Sequence, residues 1–360
     1  MSKRVLVAGA TGVVGQSVLH ACSEADLDTL ALSRRVPRST YGSLHRSVDL
    51  LSNDALTPIV GDLAEVTHLV YAALHEEPGL VAGWQQASQI EANDRMLRNL
   101  LGVLRADGSL KHVTLLQGTK AYGAHLRPID LPARENRSEH AHDNFYWRQE
   151  QALRSAASAD GFSWTILRPQ IIFGGATGVA MNLIPVLGAY GALLRNRNEP
   201  LHFPGGPSGV LEAVDADLLA RVVLWAGSEP AARDEIFNVT NGDVFSWRGV
   251  WPVVAEALGM AAGQDRPQSV AAMLNAAGGE WRTLATSYGL REPDLQALLG
   301  ESHFYADFTM AYGFGDSVPP PAIVSTIKLR QAGFSECMDT ERMLMKWLRR
   351  LQAERLLPPP

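Results

Sequence analysis

The chain is poor in cysteine, with two residues, Cys22 and Cys337, in 360. Two thiols that far apart in sequence cannot staple a disulfide scaffold. They fit a reducing compartment, so a cytoplasmic location is expected. No apolar leader precedes the first strand-like run, which points away from export. Positive charge is not in excess: 32 Lys and Arg against 38 Asp and Glu give a net charge of −6, and no nucleic-acid surface is advertised. Ten histidines show no metal-ligand spacing, and His140 and His142, two apart in a polar stretch, read as solvated. Long apolar runs are scarce. The nearly uncharged stretch 177–194 contains Asn182, Pro185 and glycines and barely reaches bilayer length, so it is read as a buried helix lining a pocket. What remains is ordinary globular composition, 46% apolar and 19% charged, in a chain long enough for one large α/β domain or two smaller ones.

The most informative residues come first. Val5-Leu6-Val7-Ala8 is a short apolar run, Gly9-Ala10-Thr11-Gly12-Val13-Val14-Gly15 follows at once, and helical character begins at Gln16. A buried strand that turns through glycines into a helix opens a dinucleotide-binding βαβ unit. The backbone must approach a pyrophosphate closely, and the helix must aim its free N–H groups at that charge. Gly9, Thr11, Gly12, Val13, Val14 and Gly15 are therefore candidate cofactor contacts, at Gly-x-x-Gly-x-x-Gly spacing. The second strand-like run ends Ser33-Arg34-Arg35, with Arg38 beyond and no acidic residue at the strand end. Guanidinium groups there suit the 2′-phosphate of NADP(H) rather than the free ribose of NAD. Asp49-Leu50 reads either as a cap on the adenine or as a strand-end turn.

Apolar runs at Leu30–Ser33, Ser47–Leu50, His68–Ala73, Lys111–Leu116 and Ser163–Arg168 alternate with helical patterns, the longest from Trp84 to Leu104. This rhythm makes an α/β fold with a doubly wound parallel sheet. The second half is less regular, with helices expected over 215–225 and 250–258 and a strand at Ile236–Val239 that rejoins the sheet. The expected organisation is a nucleotide-binding unit over 1–175, to which the chain returns near 210–245. Residues 176–360 are then mainly a substrate-binding or lid region. Phe304, Tyr305, Phe308, Tyr312 and Phe314 lie in a glycine-containing stretch that reads as a mobile lid.

This pattern resembles the extended short-chain dehydrogenases/reductases, which carry Tyr-x-x-x-Lys on one helix, the Lys one turn from the Tyr and lowering the phenol pKa. Tyr146 stands where that Tyr belongs, but the residue four further on is Glu150. The strand-end segment reads Gln117-Gly118-Thr119-Lys120-Ala121-Tyr122-Gly123, and the helix opens Asn144-Phe145-Tyr146. These two motifs resemble the progesterone 5β-reductase/iridoid synthase group. The resemblance extends through Glu91-Ala92-Asn93, Leu126 to Glu135, Trp164 to Pro169 with Ile172-Phe173-Gly174, and Phe237 to Phe245. It departs at Trp147, where plant members often show a second Tyr.

The resemblance implies a catalytic Lys from the strand-end loop, Lys120, and a catalytic Tyr from the Asn-Phe-Tyr helix, Tyr146. It implies NADPH-dependent reduction of a C=C bond conjugated to a carbonyl in a small apolar enone. Hydride adds to the β-carbon, and both residues stabilise the enolate. Tyr71, Ala72 and Ala73, with Gln117, Tyr146, Pro169 and Ile172, complete the expected cofactor contacts. Alone, Tyr146 reads as a core tyrosine and Lys120 as a surface lysine. Together, at the carboxyl ends of strands, they read as a site. Tyr122 is a weaker second phenol. Phe145, Trp147, Phe173, Met181 and the 304–314 aromatics are walls or core. A carbonyl reductase or nucleotide-sugar epimerase/dehydratase would need the intact Tyr-x-x-x-Lys pair, and Glu150 counts against both. A non-catalytic NADP(H) sensor is disfavoured by retention of Tyr146 with Lys120. A homodimer, through twofold pairing of the 84–104 helix with the helix after Tyr146, is a family-level expectation.

Overall fold

The computed structural model describes residues 3–78, 80–105, 108–137 and 142–360, so His140 lies outside the described residues. The first strand, β1 (Arg4–Ala8), shows how the fold begins. Leu6 and Ala8 enter one apolar cluster and Val5 and Val7 another, so successive side chains are buried on opposite faces. A strand covered on both faces reads as continuous apolar sequence, which is why the parallel pattern was visible.

The sheet has seven strands in the order β3-β2-β1-β4-β5-β6-β9. They are β2 (Asp28–Ser33), β3 (Leu44–Ser47), β4 (His68–Tyr71), β5 (His112–Leu116), β6 (Ser163–Pro169) and, after a long excursion, β9 (Glu235–Val239). Every neighbouring pair is parallel. Helix α1 (Val13–Glu24) follows β1, and two short helices, α2 (Asn53–Leu56) and α3 (Val60–Leu63), lead into β4. Helices α4 (Ala87–Leu104) and α5 (Phe145–Asp160) flank β5 in sequence and cover one face through Leu97, Leu100, Leu101 and Leu153. The order of winding reverses between β1 and β4, so a crevice opens at their carboxyl ends.

Two boundaries differ from the sequence reading. The third strand ends at Ser47, which leaves Asp49 and Leu50 in the turn beyond it. The long helix starts at Ala87 rather than Trp84, because a single helical turn at Leu80–Gly83 intervenes.

The excursion between β6 and β9 holds a parallel pair, β7 (Ile171–Phe173) and β8 (Ala213–Asp215), with α6 (Leu183–Asn196) between them and α7 (Ala216–Ala226) after. Helix α7 covers the other sheet face beside α1 through Leu219 and Val223. Every residue of α6 from Leu183 to Leu194 is buried, which accounts for the uncharged run. Around it pack helices α8 (Trp247–Ala257), α9 (Val270–Ala276), α10 (Gly278–Tyr288), α11 (Leu295–Leu299) and α12 (Ser302–Thr309). The chain closes with α13 (Ile327–Gln331) and α14 (Thr340–Ala353). Phe173 belongs to this second core, edge-on to Phe245 and Trp247, and is therefore not a pocket wall. Among the described residues no helix is long and apolar enough to cross a membrane. The outward residues of α4 and α5 include Glu91, Arg95, Arg98, Arg154 and Ser158, so a twofold mate packed there would have to pair charges rather than bury an apolar stripe.

Candidate active site

The crevice between β1 and β4 is shaped by backbone. Gly9 has φ 89°, and a Cβ on it would stand 2.6 Å from the Ala72 carbonyl group. A Cβ on Gly15 would stand 2.2 Å from the Gly9 oxygen. Glycine at both positions lets the turn lie against the end of β4. Helix α1 starts after Gly12 with no side-chain cap, which leaves its first N–H groups available to an anion. The side chains of Val13 and Val14 serve packing, Val13 beneath Gly174 and Val14 in the core, so their contribution to a ligand is backbone.

Gly9, Thr11, Ser33, Arg34, Asp49, Leu50 and Ala73 line an open cleft at the carboxyl ends of the strands. The three arginines divide. Arg35 donates to the Gly178 carbonyl at 3.0 Å and Arg38 to the Gly175 carbonyl at 2.7 Å, pinning that loop. Of the three, Arg34 is the one that lines the cleft. Tyr71 turns its side chain into the core beneath the sheet, so of the 71–73 trio Ala72 backs Gly9 and Ala73 faces the cleft.

Beyond β5 the chain turns through Thr119–Tyr122, which carries Lys120. Asn144 caps α5 by accepting from the Tyr146 N–H at 2.9 Å, and it donates to the Lys120 carbonyl at 3.4 Å, so one residue locks both motifs together. The Tyr146 hydroxyl reaches across the strand end, 3.4 Å from where a Cβ on Gly118 would stand, a position also 3.6 Å from the Pro169 carbonyl oxygen. Ile172 is partly buried against the two neighbouring apolar clusters. Burial raises the Tyr146 pKa well above its ordinary value, the Glu76 carboxylate and Tyr305 raise it further, and Arg168 opposes them. At neutral pH this phenol is a hydrogen-bond donor.

Lys120 is 13% exposed, with its Nζ 3.8 Å from Glu76 Oε1 and 3.9 Å from the centre of the Trp84 ring. Burial pulls its pKa down to about 8, and Glu76 pulls the other way. No hydrogen bond joins Lys120 to Tyr146 among the described residues. Trp84 in turn meets Tyr305 at 6.5 Å and Phe308 at 5.6 Å between ring centres, both edge-on. The aromatics of α12 thus cover the lysine. Asp307 ties that helix down by accepting from Ser269 Oγ at 2.5 Å and from the Val270 N–H at 2.7 Å.

Glu150 has a different task from the lysine it replaces. It pairs with Arg168, 0% exposed, at 3.4 Å and with Arg154 at 2.8 Å. Arg168 Nε donates to Gln117 Oε1 at 2.9 Å, and Gln117 Nε2 donates to the Tyr146 carbonyl at 3.2 Å. The Gln117 side chain thereby links Arg168 to the backbone of Tyr146. Tyr122 is committed too: its hydroxyl donates to Asn238 Oδ1 at 2.6 Å, which removes it as a candidate acid. Glu76, Arg168, the seating of the lysine over Trp84 and the contact of Tyr305 with that ring have no counterpart in the sequence reading. The strand-end rule could have found Glu76, which follows the carboxyl end of β4 much as Lys120 follows β5.

The PRISE-like Rossmann-fold domain model matches residues 41–310. The chain is 26% identical over 382 residues to an (S)-8-oxocitronellyl enol synthase of Camptotheca acuminata, covering 98% of this chain and 93% of the relative. It is 27% identical over 376 residues to the 3-oxo-Delta(4,5)-steroid 5-beta-reductase of Arabidopsis thaliana, covering 98% and 92%. An (S)-8-oxocitronellyl enol synthase of Antirrhinum majus is 31% identical over 271 residues, 70% of this chain and 67% of the relative. By shape, an epimerase of Methanothermobacter thermautotrophicus matches with a TM-score of 0.71 at 14% identity over 99% of this chain and 93% of that one. A Thermus thermophilus UDP-glucose 4-epimerase in complex with NAD matches with a TM-score of 0.66 at 18% identity over 96% and 99%. These two structures share the extended Rossmann fold. Lys120 and Tyr146 both fall inside the region of the family match, and the chain belongs to the PRISE-like Rossmann-fold domain family.

Proposed function

We propose that this protein is an NADPH-dependent reductase of carbon–carbon double bonds conjugated to a carbonyl. The carrying observation is a tyrosine, Tyr146, and a half-enclosed lysine, Lys120, placed beyond the sheet's carboxyl edge while the helix-turn lysine position is given to Glu150. The names of the relatives in Arabidopsis and Camptotheca support it. A dinucleotide in the cleft is supported by the close-packed glycine turn, where a Cβ on Gly9 or Gly15 would collide with backbone, and by the uncapped start of α1, and the NADP(H) reading by Arg34 in the lining, a guanidinium suited to a 2′-phosphate. Gly9, Thr11, Gly12, Ser33, Arg34, Asp49, Leu50 and Ala73 would hold it.

When bound, NADPH supplies a hydride to the β-carbon of the substrate. The chain does the rest. As negative charge grows on the carbonyl oxygen, the Tyr146 hydroxyl donates to it and Lys120 adds positive charge. Trp84, Tyr305 and Phe308 keep water away, which strengthens both interactions. An enolate needs such donors but no immediate proton relay. Reduction at the carbonyl carbon makes an alkoxide that does need one, and Glu150 is engaged with Arg168 and Arg154. In this reading residues 1–175, with the return at 210–245, bind cofactor, and 176–360 mainly shape the substrate pocket. Both cysteines are free thiols, as a reducing cytoplasm would keep them. A homodimer is proposed from the family resemblance alone.

The test is NADPH consumption with 2-cyclohexen-1-one, progesterone and an acyclic unsaturated dialdehyde, beside Tyr146→Phe, Lys120→Ala and an NADH control. The expected result is a saturated ketone from the wild type, little from Tyr146→Phe and weak turnover with NADH. Full activity in Tyr146→Phe overturns the assignment. Tight NADPH binding with no enone consumed favours a sensor.

A further inference from the structure

We infer that Glu76 is a positioning residue for this reaction, holding the Lys120 ammonium at a fixed place over the Trp84 ring; the inference rests on the catalytic role proposed for Lys120. The support lies in how much structure delivers this carboxylate. Gln89 and Asn93, four residues apart on α4, are both fully buried. Asn93 Oδ1 accepts from the His75 N–H at 2.9 Å, and its Nδ2 donates to the His75 carbonyl at 2.8 Å. Gln89 Oε1 accepts from the Glu77 N–H at 2.9 Å, and its Nε2 donates to Glu76 Oε2 at 2.7 Å. The backbone is thus clamped on both sides of Glu76, and one carboxylate oxygen is clamped as well.

The other oxygen, Oε1, is buried without a hydrogen bond and lies 3.8 Å from Lys120 Nζ. Glu76 is 7% exposed at its side chain, so this is no solvated surface pair. Burial raises its pKa, and Lys120, Gln89 and His75 act against that rise. The other polar groups facing this pair are His125 and His142 from the β5–α5 connection on the Lys120 side, and His75, Tyr146 from α5 and Tyr305 from α12 on the Glu76 side. Burial and the charge of Lys120 hold His125 neutral, its pKa pulled down to about 4. Both phenols are raised by burial and by Glu76, so they stay protonated. Glu76 is the carboxyl among these groups, and its unbonded oxygen is the one that faces Lys120 Nζ. A buried ammonium deprived of its counter-ion gives up its proton, and a flexible four-carbon stem deprived of it wanders. Glu76 prevents both.

The test reads Lys120 directly. The pH dependence of acetylation of Lys120 by acetic anhydride, followed by peptide mass spectrometry, is compared in the wild type, Glu76→Gln and Glu76→Asp. The pH profile of kcat/KM for the enone is measured beside it. In Glu76→Gln the proton should leave Lys120 at a pH lower by about one unit. The alkaline limb of kcat/KM should move the same way, with kcat falling more than KM changes. Glu76→Asp, which keeps the charge, should restore most of both. An unchanged Lys120 titration in a folded, NADPH-binding Glu76→Gln protein overturns the inference. So does a shift in Glu76→Asp as large as that in Glu76→Gln. Full enone turnover in Lys120→Ala would instead overturn the catalytic reading beneath it, whatever the labelling shows.

Discussion

The candidate cofactor cleft and the candidate catalytic cluster of this protein are built by opposite means. The cleft rests on a glycine turn, Gly9 to Gly15, packed backbone to backbone against Ala72, with Ser33, Arg34, Asp49, Leu50 and Ala73 from the neighbouring strand ends along it. The cluster is made of long side chains from distant segments: Glu76, Trp84, Lys120, Tyr146 and Tyr305. A backbone site tolerates no side chain where a ligand must approach. A side-chain site depends on the packing that brings remote segments together. Substitutions should therefore separate the two regions, changing cofactor binding at one and turnover at the other.

The largest effect should come from the scaffold beneath the pocket. Glu150→Lys restores the ordinary Tyr-x-x-x-Lys spelling but removes the counter-ion of the fully buried Arg168 and adds a like charge. Breaking a buried pair costs about 3–5 kcal/mol, so the urea midpoint should fall accordingly and no alcohol dehydrogenase activity should appear. A gain of such activity would mean that Glu150 is a lost relay rather than a strut. Next is Tyr146→Phe, expected to lower kcat by about 10²–10³-fold with NADPH affinity unchanged, because one oxyanion donor is removed and the cleft is untouched. Weakened NADPH binding in that variant would blur the division. Arg34→Ala is the converse. It should weaken NADPH binding by about 10- to 100-fold and leave NADH turnover as it was, since it removes one charge-assisted contact.

The smallest effect tests a place remote from both regions. His68 and His112 start β4 and β5, at the opposite edge of the sheet, and burial pulls their pKa values to about 4 and about 3. Above the ordinary value of 6.5 they favour neither state. Below it the unfolded chain takes protons that the folded one refuses, so stability falls as pH drops. His125 adds to this, and Glu212, its pKa pushed up to about 7 by burial, opposes it by taking a proton in the folded state. The melting temperature should fall between pH 6.5 and 4.5, and more steeply in Glu212→Gln. A flat profile would contradict the burial of these histidines.

The same contrast explains what the sequence could and could not show. The sheet was legible because strands buried on both faces announce themselves as apolar runs. The glycine turn was legible because backbone constraints are local. Lys120 and Tyr146 were legible through their motifs. Arg35 and Arg38 read like Arg34, and only the path of the 175–178 loop separates them. Tyr122 read as a candidate acid until Asn238, more than a hundred residues on, claimed its hydroxyl. Phe173 reads equally as wall or core, because an aromatic near a motif looks the same whether it faces core or ligand, and packing decides for core. Glu76 follows the end of β4 as Lys120 follows the end of β5, but nothing in the sequence pairs the two, since they meet through tertiary packing.

The most direct test follows deuterium from NADPH labelled at nicotinamide C4, on each face in turn, into the product of an enone. The account predicts label at the β-carbon of a saturated ketone and almost none formed by Tyr146→Phe. Label at the former carbonyl carbon of an allylic alcohol would contradict it.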